Sequence, residues 1–161
     1  MKIRALWIED NALFDLQHVL GPIYMDGRYD LVIAENASDG IQLIMQQEFD
    51  AVIVDIRLPP GGNQDWVTLY NDIQYWASAR LGLIILYSLL KTDESKIKHS
   101  HIPPWINSNK FGVFTVESEG EVKPHLDKLK VSVYERKTAQ TSTRIVLEIL
   151  AKITGNKKNG R

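Results

Sequence analysis

Cysteine is absent from the 161 residues. That removes a disulfide framework, a thiolate zinc site, an iron–sulfur cluster and a cysteine nucleophile together. Histidine is scarce, and the four present, His18, His99, His101 and His125, form no HExxH or similar ligand spacing. No segment reaches the roughly 18 uninterrupted apolar residues of a membrane helix. The N-terminal apolar run, residues 3–8, breaks on Glu9 and Asp10 too early for the core of a signal sequence. A soluble, cytoplasmic protein is the expectation. An excess of one charge is missing too. Nineteen Lys and Arg against twenty Asp and Glu leave a net charge of -1, so nothing global draws the chain to nucleic acid or to an anionic membrane. With 44% hydrophobic and 24% charged residues, the composition is that of an ordinary folded domain, and the length suits one domain with a modest extension.

What is present is an alternation of short apolar runs and longer segments of helical period. Residues 3–8, 30–34, 50–55, 83–87 and 111–116 read as strands. Leu13, Phe14, Leu16, Leu20 and Ile23 recur at helical spacing, and Ser38 caps a second helix carrying Ile41, Leu43, Ile44 and Met45. The Pro and Gly cluster 59–62 forces a loop just after Asp55, followed by a helix over 64–80. Residues 91–110 are the least periodic part, and 119–134 reads as a helix. Strands alternating with helices predict a parallel sheet covered on both faces. The continuous apolar runs AVIV and LIIL fit strands buried on both sides.

Two of these strands end in acid, at Glu9-Asp10 and at Asp55. In an open parallel sheet the ligand site lies beyond the carboxyl ends of the strands, where strand order reverses. Neighbouring first and third strands would bring three carboxylates into one crevice, where their repulsion calls for a cation or raised pKa values. Oxygen donors without His or Cys suit Mg²⁺ better than zinc.

Glu9-Asp10-Asn11 after a first strand, and Asp55 closing a third with Arg57-Leu58-Pro59 behind it, resemble the receiver domain of two-component response regulators. The resemblance covers about residues 2–135. It implies a flavodoxin-like doubly wound sheet of order 2-1-3-4-5. It also implies that Asp55 is a phosphoacceptor served by a histidine kinase or phosphotransfer protein, and that Mg²⁺ is held by Glu9, Asp10, Asp55 and the backbone carbonyl of Arg57. A hydroxyl residue is expected at the end of the fourth strand, where Ser88 and its neighbour Tyr87 compete. A Lys is expected after the fifth strand, where the sequence offers Glu117, with Phe114 at the place of a switch aromatic. The implied output is an unidentified partner protein, reached by binding rather than by catalysis. A Glu in place of the Lys leaves open a pseudo-receiver that binds partners without being phosphorylated. A Mg²⁺-dependent phosphatase with an Asp nucleophile is a more distant alternative, since that class carries DxD where Glu9-Asp10-Asn11 stands.

Residues 136–161 are expected to form an extension to a domain of residues 1–135. A polar linker spans 138–143. A helix over 144–154 sets Ile145, Ile149 and Ile153 on one stripe, and a basic tail ends the chain. So short a helix needs a surface to pack on: its own domain, a second copy in a homodimer, or another protein.

Overall fold

In the computed structural model, which describes residues 1–72 and 80–155, five parallel strands form one sheet. They are β1 (Ile3–Ile8), β2 (Tyr29–Ala34), β3 (Ala51–Val54), β4 (Phe111–Thr115) and β5 (Val133–Arg136), in the order β2-β1-β3-β4-β5. The described helices are α1 (Gln17–Asp26), α2 (Ala37–Gln46), α3 (Gln64–Asn71), α4 (Leu81–Leu90), α5 (Glu119–Leu129) and α6 (Ile145–Gly155). Alternation along the strands splits the core in two. Leu6, Ile8, Val52, Val54, Phe111 and Val113 face α2, α4 and α5. Ala5, Trp7, Ala51, Ile53 and Phe114 face α1 and α6. The expected flavodoxin-like order is therefore observed, but two of its pieces come from other parts of the chain.

The first correction concerns residues 83–87. They lie inside α4, not in a strand. The run LGLIILYSLL is apolar almost throughout, and periodicity cannot separate a buried helix from a buried strand in such a run. The burial does separate them: Ile84, Tyr87 and Leu90 are the partly exposed positions, three apart. Its N-terminus presses on the end of β3. Gly82 N–H donates to Ile56 O at 2.9 Å, and a Cβ at Gly82 would lie 1.9 Å from Asp55 O. Only glycine fits there. With 83–87 helical, residues 111–115 become the fourth strand rather than the fifth.

The second correction concerns the C-terminal part. The helix expected over 119–134 ends at Leu129, with Lys130 in the left-handed conformation at φ 60°, and Val133–Arg136 then adds β5 beside β4. The boundary expected at 135 thus falls inside a strand. Helix α6 buries Ile145, Val146, Leu147, Ile149, Leu150 and Ile153 against the α1 face of the sheet, and Gly112 lets Ile153 approach β4 closely. Of the surfaces open to its apolar stripe, the chain's own sheet takes it, and that stripe is not left for a homodimer. Residues 73–79 of the helix expected over 64–80, and the basic tail 157–161, lie outside the described residues.

Candidate functional site

Adjacent strands β1 and β3 end together. Their register pairs Ile8 with Val54, and Asp55 N–H donates to Ile8 O at 3.1 Å, so the next residues, Glu9 and Asp55, meet at the carboxyl edge of the sheet. Glu9, Asp10 and Asp55 offer carboxylate oxygens that all lie within 4.8 Å of one another. Glu9 is fully buried and Asp55 is 4% exposed. Such a set of hard oxygen donors around one point fits a divalent cation of the Mg²⁺ kind.

A cation 82 positions beyond Asp55 meets this cluster. Lys137, the residue after β5, donates from Nζ to Asp55 Oδ2 at 2.7 Å and to Glu9 Oε2. Its ammonium also lies 5.5 Å from the centre of the Phe114 ring, a cation–aromatic contact. Burial pushes the Glu9 carboxyl up to about 8, Asp55 adds to the rise, and Lys137 opposes it. Burial pulls the Lys137 ammonium down, but Asp55 and Glu9 outweigh it and its pKa ends above the ordinary value.

Thr115 closes β4, pairs with Arg136 in β5, and is fully buried. Its carbonyl accepts from Lys137 N–H at 2.8 Å. Tyr134, on β5, donates its O–H to Glu117 O at 2.5 Å. On the β3 side, Arg57 N–H donates to Asp55 Oδ1 at 3.3 Å. The Arg57 guanidinium turns to Glu117, with Nε 2.7 Å from Oε1.

Glu9, Asp10 and Asp55 are therefore brought together, and the Arg57 backbone N–H lies beside Asp55. Ser88 and Tyr87 do not join them. Both sit on α4 and are engaged elsewhere: Ser88 Oγ donates to Ile85 O at 2.7 Å and meets His99 Nε2 at 2.9 Å, while Tyr87 O–H lies 2.8 Å from His125 Nδ1. Glu117 follows β4, not β5, so it does not stand where a Lys after the fifth strand is expected. Phe114 is on β4, packed on Trp7 at 6.3 Å between ring centres, and is not an aromatic of the fifth strand. Thr115, Tyr134 and Lys137 hold those three topological places. Sequence reasoning missed them by counting α4 as a strand. The signal was there in FGVFT, an apolar run ending in a hydroxyl, and in VYERK, a short run ending in a Lys.

No family model matches the chain. A response regulator receiver protein of Anaeromyxobacter is 33% identical over 76 residues, which make up 47% of this chain and 31% of that protein. The chain thus spans about a third of the length of this relative. Solved structures match over nearly the whole chain. A CheY-like response regulator receiver domain protein from Methanospirillum hungatei has 19% identity and a TM-score of 0.63, covering 99% of this chain and 100% of that one. The receiver domain of a Francisella response regulator has 15% identity and a TM-score of 0.62, covering 97% and 99%. A response regulator from Thermotoga maritima has 12% identity and a TM-score of 0.59, covering 96% and 99%. The sheet order, the acidic edge at β1 and β3 and these likenesses agree: the chain has the fold of a response regulator receiver domain.

Proposed function

We propose that the chain is a phosphorylation-dependent signalling receiver, in which Asp55 takes a phosphoryl group from a phosphohistidine of a histidine kinase or phosphotransfer protein. The transfer breaks the phosphorus–nitrogen bond of the donor and forms a phosphorus–oxygen bond to Asp55. Phosphoryl transfer of this kind is mainly positioning and charge neutralisation. Lys137 carries the reading: its ammonium is held on Asp55 and Glu9, where it can pair with phosphoryl oxygens arriving at Asp55. Thr115, at the end of the neighbouring strand, is the hydroxyl donor, and Tyr134 on β5 is the aromatic that reports the state of the site to the surface. Glu9, Asp10, Asp55 and the Arg57 carbonyl would hold Mg²⁺. Bound there, Mg²⁺ supplies charge neutralisation for the acceptor and the incoming group. The output is protein–protein interaction.

The alternative, a pseudo-receiver, rests on a Glu in place of the Lys; Lys137 on Asp55 and Thr115 at the end of β4 support the phosphorylated reading over it. The test is intact-mass spectrometry after incubation with acetyl phosphate and Mg²⁺. The wild type should gain one phosphoryl group and Asp55→Asn none. An unmodified wild type refutes the switch, and a modified Asp55→Asn refutes the site.

A further inference from the structure

Glu117 is a carboxylate with its side chain only 6% exposed, and two arginines share it. Arg57 Nε lies 2.7 Å from Oε1, and Arg80 Nε lies 3.4 Å from the same oxygen. One buried anion needs one cation; here it has two. The two are not equivalent. Arg80, at the start of α4, also holds Glu121 on α5 at 3.0 Å and is 27% exposed. Arg57 is 55% exposed, has Glu117 as its one ion-pair partner among the described residues, and is tethered beside Asp55 through its own N–H. A buried carboxylate stripped of its only partner is strongly destabilising. With Arg80 in place, Glu117 can release Arg57 without that penalty. Its backbone carbonyl accepts from the Tyr134 hydroxyl at 2.5 Å in this structure.

We propose that Arg57 is a phosphoryl-binding group that Glu117 parks and Arg80 frees. When Asp55 is phosphorylated, the Arg57 guanidinium leaves Glu117 for the phosphoryl oxygens, a bidentate match of fork to anion, and Arg80 alone neutralises Glu117. Glu117 and Arg80 are positioning residues that act through Arg57. This rests on Asp55 being the acceptor, and it deepens that reading by giving the phosphorylated state a second cation besides Lys137.

The test uses the full chain with beryllofluoride and Mg²⁺ as the phosphoryl mimic, read by calorimetry and by NMR of the arginine Nε–H groups. Arg57→Gln should weaken beryllofluoride binding about tenfold, the scale of one charge-assisted hydrogen bond. Glu117→Gln should strengthen it. Arg80→Gln should weaken it, because Glu117 then keeps Arg57, and that loss should vanish in Arg80→Gln/Glu117→Gln. A merely structural role for Arg80 would leave the loss in the double variant, which overturns the exchange. The wild type supplies an independent reading: on beryllofluoride binding the Arg57 Nε–H resonance should move and that of Arg80 should keep its pairing. An unmoved Arg57 resonance overturns the proposal even if the variants fold poorly. If the wild type binds no beryllofluoride, the acceptor reading of Asp55 fails and takes the exchange with it. If it binds normally but the variants do not couple, the exchange alone fails.

Discussion

Glu9 has no exposed surface and a pKa of about 8, against 4.5 in an ordinary setting, because burial and the neighbouring Asp55 both disfavour its charge. Between those two values the folded chain holds a proton that the unfolded chain has lost. Stability therefore falls as pH rises through this range. At about 1.36 kcal/mol per pH unit, the metal-free chain should lose roughly 3 kcal/mol between pH 5 and pH 8 through this one group. Lys137 does not contribute, since its raised pKa keeps it protonated in both states throughout. His99 and His125, lowered by burial, act in the opposite sense around the ordinary His value, but equally in the wild type and a Glu9 variant. Glu9→Gln removes the titration and keeps one oxygen, enough to accept from Lys137, at the loss of the Asn11 N–H bond to the second carboxylate oxygen. Urea unfolding in chelator should then give a wild type that weakens with pH relative to Glu9→Gln, by roughly 3 kcal/mol across the range. If both proteins show the same pH dependence, the carboxyl is not proton-bearing in the folded chain and the electrostatic account of the site is wrong.

Three further outcomes follow from the geometry. Asp10→Asn should weaken Mg²⁺ binding at least tenfold by calorimetry, and equal binding in both proteins would remove Asp10 from the ligand set. Gly82→Ala should destabilise by about 1–3 kcal/mol or more in urea unfolding, since the new methyl overlaps Asp55 O and α4 must move; an unchanged midpoint would mean that α4 does not press on β3. Leu150→Ala, at a fully buried position of α6, should cost about 2–5 kcal/mol, whereas an appended helix off the core would lose far less.

The first half of the fold was legible because its residues obey simple rules. Residues 3–8, 30–34 and 50–55 are apolar runs bounded by polar or turn residues, and they pair as β2, β1 and β3. Their acidic ends announce the edge where a site forms. The second half was misread for two physical reasons. Helix α4 is buried on nearly every side, so its sequence lost the polar stripe by which a helix declares itself. Strand β5 has the opposite defect: four residues long, at the sheet's edge, with Glu135 and Arg136 in it, it reads as the polar end of a helix. One false strand and one missed strand kept the count at five while shifting every later assignment. Ser88 and Glu117 thereby took the places of Thr115 and Lys137.

The hydrogen bond from Lys137 to Glu9 joins residues 128 positions apart, and every strand pairing on the way between them is parallel. During synthesis the carboxylates of β1 and β3 exist long before the cation that closes them. An emerging chain that has made only β1, β2 and β3 carries an acidic crevice with like charges facing one another and no ammonium. Such an intermediate is poorly disposed to receive a further anion, and non-local parallel pairings of this kind form late. The proposed phosphoryl acceptance is thus tied to completion of the sheet: a chain that ends before β5 keeps the carboxylates of β1 and β3 but lacks Lys137, the cation that meets Asp55 and Glu9.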